Sequence, residues 1–210
     1  MSYDKALIAG KLRRWETYLK NYRLPYWEDL PNLGLYMEQV VSLLKRYLDY
    51  MPPELQEEEV VTAAAINNYV RKKIMPEPVK KKYFRIHIAY LIMICTLKQS
   101  LSIPTLQALL PMGLPEKQVQ ARYDAYVRRH HAAAEFFTQQ VRLAAGGILG
   151  HDAASDFSTD DPVELITSSA VIGGFSRLLA QKLLLLEGKT LETGGSIEIR
   201  TPKNQPEHNA

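Results

Sequence analysis

Proline residues divide this sequence into a series of short segments with helical periodicity. Apolar side chains recur every three or four residues in residues 3 to 22 and again from Leu35 to Tyr50, which is the pattern of amphipathic helices. Pro25 follows the first segment and Pro52 and Pro53 follow the second. Each ends its helix because proline lacks the backbone N–H that a continuing helix needs. This patterning dominates the chain, so the sequence predicts an all-α protein.

Five further helices are predicted from the same signals. They cover residues 63 to 73, 86 to 99, 102 to 110, 116 to 145 and 162 to 187. Thr62 and Ser102 have the side chains of N-caps. The last helix is largely apolar but is interrupted by Glu164, Arg177, Gln181 and Lys182, and charges at bilayer depth are costly. We therefore predict a buried helix there and no membrane span.

The segment from Met112 to Pro115 predicts a domain boundary, because its glycine and prolines separate two helical regions. Residues 1 to 112 are predicted to form a helical lead-in and a first domain. Residues 113 to 188 are predicted to form a helical region that dimerises or receives a signal. The polar residues 189 to 210 are predicted to be a disordered tail.

Composition places the chain among ordinary globular proteins, with 46% hydrophobic and 23% charged residues in a length of 210. The only cysteine, Cys95, lies in an apolar run, so a buried thiol is predicted and an intrachain disulfide is excluded. The N-terminus lacks the apolar core of a signal peptide. These features predict a cytoplasmic protein.

A strongly basic element lies in the middle of the chain, over residues 71 to 85. It contains seven cations and one anion, Glu77, which gives a net charge of +6, whereas the whole chain carries only +3. The cations are Arg71, Lys72, Lys73, Lys80, Lys81, Lys82 and Arg85. A cationic cluster beside a helix is typical of nucleic-acid-binding proteins.

The helix predicted over residues 63 to 73 has the polarity of a helix that reads DNA. Ile66 and Tyr69 are expected to pack inward, and the proline-bent residues 76 to 85 are expected to form a wing that touches the DNA. The side chains assigned to the major groove are Thr62, Asn67, Asn68 and Arg71, and those assigned to phosphates are Lys72, Lys73, Lys80, Lys81, Lys82 and Arg85. Asparagine pairs well with adenine and arginine with guanine.

The run INNYVRKKIMPEP, followed by KKKYFRIHIAYLIMICTLKQSLSIPTLQALL, resembles the winged helix-turn-helix of MerR-type regulators. In that family a recognition helix leads through two apolar residues and a proline into a basic wing that closes on a tyrosine. The resemblance implies that residues 66 to 71 lie on the recognition helix and residues 74 to 76 form its exit. It also implies that Tyr83 closes the wing within the DNA-binding surface and that residues 102 to 106 start the last short helix.

A longer stretch resembles a bacterial family catalogued as a domain of unknown function. LPYWEDLPNLGLYMEQV and INNYVRKKIMPEPVKKKYFRIHIAYLIMICTLKQSLS carry this resemblance, which covers about residues 24 to 112. Members of that family are sometimes described as regulators. The resemblance therefore implies a bacterial regulator without implying a particular DNA target.

Three features depart from the MerR pattern, the simplest being Phe84 in place of the usual polar cap after the tyrosine. Lys73 stands where MerR proteins usually have glycine, so either the chain leaves the helix differently or this lysine adopts a positive φ, which is uncommon for a side chain of its size. The acidic run PPELQEEEV stands where the first helix of the motif is expected. We expect the segment from Leu35 to Tyr50 to take that role, and Glu57 to Glu59, if close to the basic element, to weaken DNA binding.

Other groups of chemically active residues favour structural roles. His130, His131 and Glu135 lack the spacing of a dedicated zinc site, so they are predicted to form a solvated or interface surface, and no metal or other cofactor is predicted. The sequence has no P-loop, G-x-S-x-G or Rossmann glycine pattern. An enzyme is therefore not predicted.

The sequence leads to the hypothesis of a bacterial, cytoplasmic transcriptional regulator. Its expected partners are double-stranded DNA, a second copy of the chain and an unknown small-molecule effector, without a membrane. Two alternatives stay open. One is a protein-interaction module that keeps a helix-turn-helix scaffold but does not read DNA, and the other is a ligand or metal sensor that uses the helices of residues 115 to 187.

Overall fold

The computed structural model describes residues 5–50, 61–150 and 158–184. Within these ranges the chain forms eight α-helices, one short 3₁₀ helix and two single β-bridges. The α-helices are α1 (Lys5–Asn21), α2 (Met37–Tyr47), α3 (Ala63–Arg71), α4 (Arg85–Leu97), α5 (Ile103–Leu109), α6 (Glu116–Ala144), α7 (Gly146–Leu149) and α8 (Pro162–Leu184). The 3₁₀ helix covers Trp27–Asp29. The predicted all-α class is confirmed for the part of the chain that is described.

The predicted N-caps form as expected. The Thr62 hydroxyl accepts a hydrogen bond from the backbone N–H of Ala65 at 3.0 Å, and the Ser102 hydroxyl accepts one from Thr105 at 3.4 Å. Each bond satisfies one of the N–H groups that have no partner within their own helix. The end of α3 differs slightly from its prediction, because the helix ends at Arg71 and not at residue 73.

α4 is the centre of the core. Every residue from His87 to Cys95 is buried, which fits a helix that is apolar on all sides. α2 and α6 both pack against α4, and α3 adds Ile66 and Tyr69 to the same core. The predicted burial of Cys95 is confirmed, and burial raises the pKa of its thiol to about 12.

The core continues past the boundary predicted at residue 112. A turn does occur there, with Gly113 at φ 76°, but Val119, Tyr123 and Val127 of α6 belong to the same core as α4. The first compact unit extends to Ile172, and a second begins at Gly173, within α8. The core extends past residue 112 because the apolar side chains in the first half of α6 cover a side of α4 that would otherwise be exposed.

A smaller apolar cluster joins α1 to α7. It contains Ala9 of α1 together with Ala145, Ile148 and Leu149. Arg13 also reaches this region and donates a hydrogen bond to the carbonyl of Leu149 at 2.8 Å. These contacts explain why the amphipathic N-terminal helix has a partner outside the main core.

α8 differs from its prediction. The sequence predicts a buried helix, but Val163, Ile166 and Val171 lie exposed, and 68% of the Phe175 surface is accessible. No described helix is both long enough and apolar enough to cross a membrane. Two predictions fall outside the described residues. They are the effect of the acidic residues 57 to 59 on DNA binding and the disordered tail at residues 189 to 210.

Candidate nucleic-acid interface

α3 has one buried face and one polar face, as predicted. Ile66 and Tyr69 are almost completely buried, whereas Asn67 and Arg71 are exposed. The guanidinium of Arg71 donates a hydrogen bond to the side-chain oxygen of Asn68 at 3.0 Å. Asn67 is the exposed asparagine of the helix, and its side-chain amide has no side-chain partner among the described residues.

α3 ends in a Schellman motif built on a lysine. Lys73 has φ 53°, its N–H donates to the carbonyl of Val70 at 2.9 Å, and the N–H of Ile74 donates to the carbonyl of Tyr69 at 3.2 Å. This is the hydrogen-bond pattern that usually has glycine at the left-handed position. Of the two alternatives left open for Lys73, the structure has the positive φ, and the buried Ile74 holds the motif against the core.

The predicted wing is a very short hairpin with two lysines in its turn. Val79 and Lys82 exchange backbone hydrogen bonds, both of 3.0 Å. Between them lie Lys80 at φ 49° and Lys81 at φ 63°. Positive φ at both central residues is the signature of a type I′ turn, which strongly favours asparagine and glycine. The hairpin therefore presents two exposed cations on a backbone that is strained for lysine.

The base of the hairpin is fixed to the segment before α2. Leu35 and Tyr83 exchange two backbone hydrogen bonds of 2.8 Å. A Cβ atom on Gly34 would lie 2.9 Å from the side chain of Lys82 and 3.0 Å from the ring of Phe84, so a larger residue at this position would force these side chains to shift. The ammonium of Lys82 lies 5.3 Å from the centre of the Tyr36 ring. Lys82 is thus partly used in packing. No local sequence pattern identifies Gly34 or Leu35 as supports of the hairpin.

Two residues assigned to DNA have structural roles instead. Tyr83 is buried, with only 3% of its surface accessible, so its ring closes the wing but does not face a ligand. Arg85 donates hydrogen bonds to the carbonyl of Leu30 at 3.1 Å and to the carboxylate of Glu28 at 3.1 Å. Arg85 is thus already paired with Glu28, and its predicted phosphate contact stays a prediction.

His87 ties the start of α4 to the wing. Its Nδ1 accepts a hydrogen bond from the N–H of Phe84 at 2.9 Å, and its Nε2 lies 3.0 Å from the carbonyl of Glu77. Because a carbonyl can only accept, Nε2 is the donor in this second contact. The orientation of residues 77 to 84 is therefore set by a buried side chain of α4.

The exposed positive charge of the basic element is concentrated at two places. Its exposed cations are Arg71, Lys72, Lys73, Lys80 and Lys81. Three of them follow one another at the end of α3, and two form the hairpin turn. The carbonyl of Lys72 also accepts a hydrogen bond from Gln107 of α5 at 2.6 Å, a contact that sequence periodicity does not reveal.

The two histidines considered for metal binding fix the loop after α1. His131 accepts a hydrogen bond from the N–H of Leu24 at 3.0 Å. His130 lies among the rings of Tyr22, Tyr50 and Tyr126, and burial lowers its pKa to about 4. Residues 5–50, 61–150 and 158–184 contain no group of three or more acidic, histidine or cysteine side chains that could hold a metal ion.

The strained hairpin turn gives a stability prediction. Replacing Lys80 by asparagine and Lys81 by glycine should raise the free energy of unfolding by about 1–2 kcal/mol, because both new residues accept positive φ more readily. Urea unfolding followed by circular dichroism measures the change. The control is a Lys80→Ala, Lys81→Ala variant, which removes the same charges but keeps the strain. If that control is stabilised equally, charge repulsion and not backbone strain is the cause.

Comparison with known proteins identifies one family. Residues 25–126 match the family model described as a domain of unknown function, DUF1836. The matched region contains α2 to α5, the whole basic element and the first part of α6, and it agrees with the predicted resemblance to a family of unknown function. No curated protein and no solved structure matches the chain significantly. The comparisons give no support for the MerR resemblance.

Proposed function

We propose that this protein is a bacterial, cytoplasmic transcriptional regulator that binds duplex DNA with α3 and the lysine hairpin. The observation that carries the proposal is the placement of Lys80 and Lys81 in a turn that strains their backbone. Strained residues persist where the surrounding structure holds them, and they are frequent at functional sites. Here the strain presents two ammonium groups at the tip of a hairpin.

The end of α3 supports the same interpretation. Lys72 and Lys73 are exposed next to Arg71 and Asn67, so side chains able to contact phosphates lie beside side chains able to read base edges. In DNA-binding proteins, phosphate contacts position the protein and base contacts specify the sequence. The C-terminal half of α3 and the two residues that follow it therefore carry both kinds of group.

A homodimer is part of the proposal. Phe136 on α6 is 63% exposed, and α8 carries exposed apolar residues as well, such as Ile166. Large exposed apolar side chains are typical of surfaces that contact another protein. A symmetric dimer would present two copies of α3 to two half-sites related by a two-fold axis.

Selection of random duplex fragments by the purified protein at two salt concentrations tests the proposal. We expect enrichment of inverted half-sites. We also expect binding that weakens with salt, with a log–log slope of up to about −4.5 per chain if all five exposed cations of the basic element contact phosphates. If the recovered fragments share no sequence motif and the amount recovered is the same at both salt concentrations, DNA binding is refuted.

One observation favours a protein-interaction module as the second candidate. α2 ends at Tyr47 and α3 begins at Ala63, whereas a helix-turn-helix joins its helices by three or four residues. In addition, Asn68 and Arg71 are bonded to each other. An interaction module would give no enriched DNA motif in the selection experiment.

A further inference from the structure

A cavity of about 320 Å³ lies between α4, α5 and α6. Its walls are mainly apolar and include Met93 and Leu97 of α4, Leu109 of α5 and Val119 of α6. Cavities of this size, with apolar walls and a few polar groups, are typical of small-molecule sites. The position of the cavity is separate from the hairpin and from the exposed face of α3.

The free polar groups of the cavity are two arginines. Arg122 and Arg129 of α6 both line it and are both exposed, and neither forms an ion pair with a described residue. None of the lining residues is acidic. The hydroxyl of Tyr90 donates to the carbonyl of Pro111 at 2.7 Å, and that of Tyr126 is hydrogen bonded to Thr96.

The two arginines are placed to act together. They are seven residues apart, which is two helical turns and the same side of α6. The charge of Arg122 also acts on Tyr90, where it opposes the rise in pKa that burial causes, so its guanidinium lies near the apolar wall. A guanidinium fork matches the geometry of a carboxylate and binds it with two parallel hydrogen bonds.

We propose that this cavity binds an amphipathic carboxylic acid, with the apolar chain against α4 and α5 and the carboxylate on Arg122 and Arg129. Apolar walls alone would accept any hydrocarbon, and arginines alone would accept any anion. Their combination favours a molecule that carries both parts. Neutral hydrocarbon chains lack the group that would pair with the two charges.

The cavity is linked to the proposed DNA-binding helix through α5. Leu109 lines the cavity, and Gln107, two residues earlier, donates the 2.6 Å hydrogen bond to the carbonyl of Lys72 at the end of α3. A ligand that shifts α5 therefore acts on the residues that end α3. This regulatory part rests on the proposed DNA binding, whereas ligand binding itself does not.

Calorimetric titration of the full chain with octanoate, with 1-octanol as the neutral probe, tests the site. We expect one octanoate per chain and binding at least tenfold weaker for 1-octanol. An Arg122→Gln, Arg129→Gln variant should lose at least tenfold in octanoate affinity and keep its affinity for 1-octanol. Absence of octanoate binding to the folded protein, or equal affinities for the two probes, overturns the proposal.

A pair of alanine variants locates the site. Ala125 is exposed and lines the cavity, whereas Ala133 is exposed on the same helix but does not line it. Ala125→Trp should abolish octanoate binding, and Ala133→Trp should preserve it. Equal binding by both variants, with helix content unchanged by circular dichroism, places octanoate elsewhere and refutes this site.

The regulatory link is measured separately. If octanoate changes the affinity for a selected DNA fragment by some factor, DNA must change the octanoate affinity by the same factor. We expect a change of at least fivefold that the Arg122→Gln, Arg129→Gln variant loses. Octanoate binding without DNA binding would refute the proposed function but not the cavity, and the opposite result would refute the cavity alone.

Discussion

If the protein binds DNA as proposed, replacing Lys80 and Lys81 with glutamate should reduce the affinity for selected duplex fragments by at least 100-fold at low salt. Each substitution removes a phosphate contact and adds a negative charge that DNA repels. The log–log slope with salt should become shallower by about 1.8, since each phosphate contact contributes about 0.9. Fluorescence anisotropy with a labelled fragment at four salt concentrations measures both quantities. Lys82 is left unchanged because it packs over Tyr36, and its loss would disturb the hairpin itself.

The control for this experiment has the same net charge. Lys11 of α1 and Lys117 of α6 are exposed and lie outside the basic element. A Lys11→Glu, Lys117→Glu variant should lose little affinity, because neither lysine belongs to the proposed interface. If both double variants bind DNA equally well, the hairpin is not part of the interface. If both lose affinity equally, only the overall charge matters.

The outcome also separates the two candidate functions. An interaction module would use the same exposed lysines for an acidic protein, and the glutamate variant would then lose that partner while showing no DNA binding before or after the change. The Lys80→Asn, Lys81→Gly variant is informative for the same reason. It keeps the hairpin and removes the charges, so a more stable protein with weaker DNA binding would show that the lysines are retained for binding.

Local features of the fold were accessible from sequence. Thr62 caps α3 through a bond to a residue three positions away, and the conformation of Lys73 follows from its place at the end of a helix before two apolar residues. Both depend on neighbours in the chain. The burial of Ile66 and Tyr69 follows from helical spacing in the same way.

Features that depend on distant residues were not accessible. A charge count over the residues around Arg85 treats it as an unpaired cation. Its partner Glu28, however, lies 57 residues earlier in the chain. Tyr83 is buried because Leu35 pairs with its backbone, and no local pattern encodes that pairing. The cavity depends on the packing of three helices. Charge counts therefore overestimate the binding surface, whereas hydrogen bonds show which cations are already paired.

Replacing Trp27 with alanine should lower the free energy of unfolding by about 3–5 kcal/mol, the range for a large buried aromatic residue. Its side chain is only 2% exposed and meets the ring of Tyr123 edge-on, with the ring centres 6.4 Å apart. The guanidinium of Arg85 lies 5.9 Å from the centre of the indole ring. Because small domains are stable by about 5–15 kcal/mol, this one change removes a large fraction of the total.

Trp15, the other tryptophan, is the matched control. It is 38% exposed and has an edge-on contact with Phe137 at 5.4 Å, so Trp15→Ala should cost about 1 kcal/mol, within the range of partly exposed sites. Urea unfolding of both variants, followed by far-ultraviolet circular dichroism, compares them. Equal losses would contradict the role of Trp27 in holding the loop before α2 to α4 and α6. A larger loss for Trp27 would confirm that the buried indole, which also lies beneath the Arg85 guanidinium of α4, holds that loop in place.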